Sequence, residues 1–138
     1  MNRRNALLLA ATGLAGCITK SHLDSGFIDA HSHIWTTDIK RFPLHKGVRT
    51  EDLSPNIFTA EDLIRIGLTE NVTRHVLISH GPYHGYNNDY YTPAASKHSG
   101  VFAIVGAIKP AFEYITDHMR SNPKLGITVY RFKPNNAK

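Results

Sequence analysis

The 138-residue chain has only one cysteine and no long apolar run. Its single cysteine, Cys17, excludes a disulfide within the chain, so cysteine pairing does not indicate a redox compartment. A membrane-spanning helix needs about 20 apolar residues, whereas the longest apolar run, 6–15, has ten. With 41% hydrophobic and 20% charged residues, the composition is that of a soluble globular protein with one modest core. The length allows one domain or part of one.

Neither sign of charge strongly dominates the sequence. The formal net charge is +5, and removal of residues 1–16 would take away two basic residues and no acidic one, leaving +3. The sequence has no run of basic residues with interleaved aromatic residues, which is the pattern that a phosphate-binding surface needs. We therefore expect no nucleic-acid partner.

The first seventeen residues are typical of a bacterial export signal. Arg3 and Arg4 precede the apolar run, which ends in Leu14-Ala15-Gly16-Cys17. This tetrapeptide resembles the lipobox of bacterial lipoproteins, and the two arginines resemble a twin-arginine pair.

These features predict the organisation of the N-terminal region. We expect a signal peptide over 1–16, lipidation at Cys17 and a tether over 17–25. The lipid would anchor the protein to a membrane in the bacterial periplasm or cell envelope. The alternatives are plain export with an incidental cysteine and a retained N-terminal segment.

Four short runs rich in valine and isoleucine follow, separated by longer mixed segments. This alternation predicts an α/β fold in which parallel strands are covered on both faces. The predicted strands are 26–31, 73–80, 101–108 and 126–132.

Three of the connecting segments favour helices. Thr59 and Asp62 have the spacing of a capping box, and the apolar residues after them predict a helix with Leu63, Ile64, Gly67 and Leu68 on one face. A second helix is expected over 111–122, and Thr92 could cap a short third one with Pro93 in its first position. The long connection 34–58 is of a kind that is usually functional or disordered.

Two histidines stand one residue apart at the end of the first predicted strand. Because alternate strand residues point to the same face, His31 and His33 project together and can bind one divalent ion. Zinc, manganese and cobalt all accept imidazole ligands, so two such ligands do not select among them. The carboxyl ends of the strands are also where a βα barrel places its active site.

The stretch Ile28-Asp29-Ala30-His31-Ser32-His33-Ile34-Trp35 resembles the Asp-x-His-x-His motif of the amidohydrolase superfamily, and Trp35 resembles its amidohydrolase-related (amidohydrolase 2) branch. Further similar stretches follow in order at 41–43, 58–63 and 85–90, so the resemblance covers about 25–134. It implies that 26–138 is an incomplete (β/α)8 TIM barrel, the N-terminal half with about four βα units.

The resemblance also implies a function. It predicts a metal-dependent hydrolase in which metal-activated water attacks a lactone, an amide or a related C–O or C–N bond of a small, carboxylated substrate. His31 and His33 would bind the metal, zinc in the first place or manganese, and the catalytic aspartate is expected beyond Lys138. We therefore expect this chain alone to bind metal weakly and to be inactive. The alternatives are a non-catalytic, lipid-tethered half-barrel binding module and a decarboxylase of the same family; the oligomeric state stays open.

Three further residues are candidates for substrate binding. His80 ends the second predicted strand at the same edge as the histidine pair, although it could be a structural or solvated strand end. Tyr83 follows, together with His84 and Tyr86, in a loop where these residues could line a pocket or be ordinary loop aromatic residues. Arg131, among apolar neighbours on the fourth strand, could hold a substrate carboxylate or form a structural ion pair.

Overall fold

A parallel sheet of four strands organises the chain. The computed structural model describes residues 25–109, 115–121 and 126–131. The strands lie side by side in chain order, so each neighbours the one before it: β1 (Phe27–Ser32), β2 (Val72–Ile78), β3 (Phe102–Ala107) and β4 (Ile127–Arg131). All four predicted strands and their parallel arrangement are confirmed, with ends that differ by one or two residues.

Helices connect the parallel strands, as the alternating pattern predicts. The described helices are α1 (Ala60–Thr69), α2 (Gly81–His84), α3 (Tyr91–Lys97) and α4 (Ile115–Ser121), and a 3-10 turn spans Thr50–Asp52. The predicted second helix, 111–122, corresponds to α4, and its positions 111–114 and 122 lie outside the described residues. The result is a βα succession consistent with part of a TIM-barrel-like fold.

The capping box of α1 is confirmed, but its predicted apolar face is only partly right. The Asp62 backbone N–H donates to the Thr59 hydroxyl at 3.2 Å, and the Thr59 N–H donates to the Asp62 carboxylate at 3.1 Å. Leu63 and Gly67 are buried, whereas Leu68 is 49% exposed. Leu68 lies about 100° around the helix from Gly67, which places it beyond the stripe that faces the sheet.

The start of α3 differs from the prediction. Thr92 is not the cap: the helix begins at Tyr91, after Tyr90, and Pro93 lies in the first turn, where its missing N–H costs no helical bond. The Tyr91 side chain is fully buried, and its hydroxyl accepts the His80 backbone N–H at 2.8 Å. We attribute the start of α3 at Tyr91 to the burial of this ring and to its bond with His80, which no pattern of neighbouring residues predicts.

The core lies between the sheet and its helices. Its buried members come from all four strand regions and from α1 and α3: Ile34, Ala60, Leu63, Leu77, Tyr91, Ala94, Ile104 and Ile127. In contrast, β1 and β4, which end the strand order, expose Phe27 (69%) and Val129 (54%). Within the described residues the sheet is therefore open at both edges.

Candidate active site

His31 and His33 lie against each other where β1 ends. Their Nε2 atoms are 3.3 Å apart, and their rings meet edge to face with centroids separated by 4.9 Å. Two nitrogen ligands, each about 2.05 Å from a tetrahedral zinc ion, would be about 3.4 Å apart. The observed separation therefore fits two ligands of one ion.

A backbone carbonyl orients the His33 ring. His33 Nδ1 lies 2.7 Å from the Ile78 oxygen, and because a carbonyl can only accept, Nδ1 must carry the hydrogen. The neutral ring then keeps its lone pair on Nε2, the atom that faces His31. Burial lowers the pKa of His33; the bond to the Ile78 carbonyl partly offsets this, and the nearby charges of His31 and Arg131 lower the pKa further. At neutral pH the ring is in the form that a metal ion binds.

The rings of His80, Tyr83 and Trp35 form a cluster beside His33, here called the aromatic wall. His80 contacts all three of the other rings. Its ring centroid is 4.6 Å from that of His33, 4.2 Å from Tyr83 and 5.8 Å from Trp35. Burial lowers the pKa of His80 to about 4, with smaller contributions from His33 and His84. The predicted residues His80 and Tyr83 are thus brought together next to His33.

The aromatic wall also ties down the long connection after β1. The Trp35 indole N–H donates to the Pro55 oxygen at 2.7 Å, and the Trp35 and Phe58 backbones bond to each other. The Tyr83 hydroxyl accepts the Ser54 N–H at 3.1 Å. These bonds hold segment 34–58 over the carboxyl end of the sheet.

A cleft of about 170 Å³ lies at the carboxyl ends of β2, β3 and β4. Arg131 lines it, as does the Ile78 segment whose carbonyl orients His33, whereas His31, His33, His80 and Tyr83 do not. None of the described lining residues is acidic. With the Arg131 guanidinium in its wall, the cleft favours an anionic group such as a carboxylate.

Sequence reasoning missed two polar residues of this cleft. Ser79 is buried, and its hydroxyl has no hydrogen-bond partner within the described part of the chain. His45 comes from the connection 34–58 and lies so close to Gly85 that a Cβ on this glycine would be 2.6 Å from His45 Nδ1. Position at the end of β2 could have identified Ser79, but no local signal identifies His45.

The remaining ligands of a metal site are not found among the described residues. Across 25–109, 115–121 and 126–131, no three or more histidine, cysteine, aspartate or glutamate side chains are grouped so that they could hold an ion. The described site therefore offers the two imidazoles of His31 and His33, next to a cationic cleft.

The predicted signal peptide and the lipidation site Cys17 lie outside the described residues. Among the described helices, none has both the length and the apolar character required to cross a membrane.

No family model and no curated protein matches this chain. Among solved structures, it is similar to the crystal structure of a probable 2-pyrone-4,6-dicarboxylic acid hydrolase from Acinetobacter baumannii with citric acid bound, with a TM-score of 0.59 and 19% sequence identity. The match covers 76% of this chain but only 36% of that one, so this chain spans about a third of its neighbour. The likeness shows that the α/β fold of this chain is similar to part of the fold of that neighbour.

Proposed function

We propose that this chain carries the metal-binding part of a hydrolase of the amidohydrolase-related type. The observation that carries the proposal is the 3.3 Å separation of the His31 and His33 Nε2 atoms. The bond from His33 Nδ1 to the Ile78 carbonyl supports it, because metal-binding histidines are commonly oriented in this way. The fold of the chain is compatible with the proposal.

His31 and His33 would hold a divalent ion, zinc or manganese. Such an ion, when bound, lowers the pKa of a water ligand and polarises a carbonyl. Arg131 would hold a substrate carboxylate, and the Ser79 hydroxyl could add a hydrogen bond from the cleft wall. The proposed substrate is a small carboxylated lactone or amide, in keeping with the citric acid that the structural neighbour binds.

Further ligands and a base for the water would come from outside the described residues, since the described part holds no group of three ligands. We therefore propose that the 138-residue chain alone binds zinc weakly and does not turn over. A decarboxylase could use the same two histidines. A non-catalytic binding module would need neither histidine, so metal binding separates it from the two enzymes.

Calorimetric titration of the purified chain with zinc tests the proposal. We expect binding by the original chain and its loss in the His31→Ala/His33→Ala double variant. His98→Ala is the matched control, because His98 is also partly buried but bonds to Glu61 away from the site. Equal zinc affinity in the original chain and the double variant would refute the proposal. Lactone hydrolysis by the chain that disappears in the double variant would refute the expected inactivity.

We also propose that the protein is exported and held at a membrane by a lipid on Cys17. The support is the sequence pattern of residues 1–17. Mass spectrometry of the protein expressed in a bacterium should find cleavage before Cys17 and a lipid on that residue, and Cys17→Ser should remove both. An unprocessed N-terminus in the original protein would contradict this.

A further inference from the structure

Strand β1 pairs irregularly with β2 at two places, Phe27/Ile28 and Asp29/Ser32, and the two shifts offset each other. Asp29 pairs with His75 and Ser32 pairs with Leu77, so β1 advances three residues while β2 advances two. The extra residue between these two pairs makes a β-bulge at Ala30 and His31. The bulge therefore includes the first histidine of the pair and precedes the second, His33.

The bulge decides which side of the sheet the histidines face. Asp29 lies on the side of α1, because its Oδ2 is 3.8 Å from Nδ1 of His75 and the His75 ring packs against Gly67 of that helix. In a regular strand, residues 31 and 33 would share the side of residue 29. Instead, the buried Ser32 bonds to Asp29 and therefore shares its side, so the alternating residues 31 and 33 face the other side, where His33 contacts His80. One inserted residue has reversed the side to which the pair projects.

Both oxygens of the Asp29 carboxylate bond to the bulge. Oδ1 accepts the His31 backbone N–H at 3.0 Å, and Oδ2 accepts the Ser32 hydroxyl at 2.5 Å. A carboxylate that bonds the backbone two residues ahead forms an Asx turn, which stabilises a local bend of the chain. The N–H of a bulged residue is one that the strand ladder does not pair.

From these contacts we infer that Asp29 is a positioning residue: it closes the bulge that turns His31 and His33 toward each other at the carboxyl end of the sheet. Asp29 itself is not a ligand in this arrangement. The inference rests on the proposed function for its relevance to metal binding, but the geometry that it explains exists without the metal.

Two substitutions separate the bonds of Asp29. Asp29→Ala removes both acceptors, so the bulge should lose its closure. Asp29→Asn keeps a side-chain oxygen for the His31 N–H and should restore the turn. Asp62→Ala is the matched control, because Asp62 also accepts one backbone N–H and one hydroxyl, those of Thr59, but at the start of α1.

The first experiment uses the metal-free 138-residue chain. Proton NMR should show a nuclear Overhauser effect between the ring protons of His31 and His33 in the original chain, in Asp29→Asn and in Asp62→Ala. We expect it to be lost in Asp29→Ala, with far-ultraviolet circular dichroism unchanged. A contact that persists in Asp29→Ala would overturn the inference.

The second experiment measures zinc affinity in the same four proteins. Loss of a residue that orients metal ligands typically costs about 10- to 100-fold in metal affinity, so we expect this loss in Asp29→Ala and a nearly original value in the other two variants. If Asp62→Ala lowers the affinity as much as Asp29→Ala, the effect is general destabilisation and the inference is wrong. If the ring contact is present but no protein binds zinc, the proposed function fails while the positioning role of Asp29 stands.

Discussion

His33 and His75 are two histidines whose pKa values are both lowered, although they lie in different regions of the molecule. Burial is the main cause that lowers the pKa of each. His75 is 2% exposed and packs between Gly67 and the Phe102 ring, on the side of the sheet that α1 covers. His33 instead lies at the carboxyl end of the sheet, with one ring nitrogen bonded to a carbonyl and the other facing a second imidazole.

The difference between His33 and His75 shows which observation distinguishes a metal-binding histidine from a core histidine. Burial and a lowered pKa are common to both histidines, so neither distinguishes a functional group from a core residue. The distinguishing feature is a ring nitrogen that is oriented from behind and faces another potential ligand. On this basis we assign His33 to the proposed metal site and His75 to the core, and the predictions below test that division.

The largest contrast is expected when each histidine is replaced separately by alanine. His33→Ala should abolish measurable zinc binding by the chain, because one imidazole alone is left at the site. His75→Ala should keep zinc binding but destabilise the fold by about 2 to 3 kcal/mol, since it leaves a cavity in the core. Zinc titration and urea unfolding of both variants measure this. Loss of zinc binding in a folded His75→Ala protein would contradict the division.

A second prediction concerns Arg131, which lines the cleft and would bind a substrate carboxylate. A guanidinium can hold a carboxylate through two parallel hydrogen bonds, and a hydrogen bond to a charged group contributes about 1.5 to 3 kcal/mol. Arg131→Ala should therefore weaken citrate binding by about tenfold or more, and Arg131→Lys should restore it only in part. Calorimetry with citrate makes the test, with Arg120→Ala as control, because Arg120 is an exposed residue of α4. Unchanged citrate affinity in Arg131→Ala would remove Arg131 from the proposed site.

The pH dependence of stability should reflect both regions. Burial lowers the pKa of four histidines in the folded chain, that of His80 to about 4, from about 6.5 in the unfolded chain. Below pH 6.5 the unfolded chain thus binds more protons, so the free energy of unfolding should fall as the pH is lowered from 6.5 toward 4. The four residues are His33, His75, His80 and His84.

Urea unfolding of the metal-free chain at several pH values between 7 and 4 measures this slope. His75→Gln should make the slope shallower, because one buried imidazole is gone. Glu61, whose pKa is lowered to about 2 mainly by its bond to Lys97, adds to the fall in stability only at the acid end of this range, below about pH 4.5, and does so equally in both proteins. A stability that does not change over this window would contradict the lowered pKa values.

The smallest effect is expected at Gly67, where α1 passes over His75. A Cβ at this position would lie 2.8 Å from Cε1 of His75, and the buried ring has little room to move. Alanine is the better helix former by about 1 kcal/mol, but overpacking costs about 1 to 3 kcal/mol. Gly67→Ala should therefore be neutral to destabilising by about 2 kcal/mol, with zinc binding unchanged. A clear gain of stability in urea unfolding would show that the His75 pocket is loose.

Much of the fold could be predicted from local patterns. The valine- and isoleucine-rich runs identify the four strands, and the spacing of Thr59 and Asp62 identifies the start of α1. That His31 and His33 project from the same side of β1 also follows from their alternation along the chain, whereas the side that they face depends on the bulge. In each of these cases the signal lies within a few neighbouring residues.

Features that depend on distant contacts could not be predicted in this way. The bulge in β1 is defined only by its register with β2, and the start of α3 by the burial of Tyr91. His45 reaches the cleft because its connection is pinned elsewhere, partly through Trp35 and Pro55. No short sequence pattern predicts the bulge, the start of α3 or the position of His45.

The central claim is that His31 and His33 bind one divalent ion together. X-ray absorption spectroscopy of the zinc-loaded chain tests it most directly, because it counts imidazole ligands around the metal. We predict two imidazole nitrogens at about 2.0 to 2.1 Å, and loss of their signal in the His31→Ala/His33→Ala variant. A spectrum without imidazole scattering, or one that the double substitution leaves unchanged, would contradict the claim.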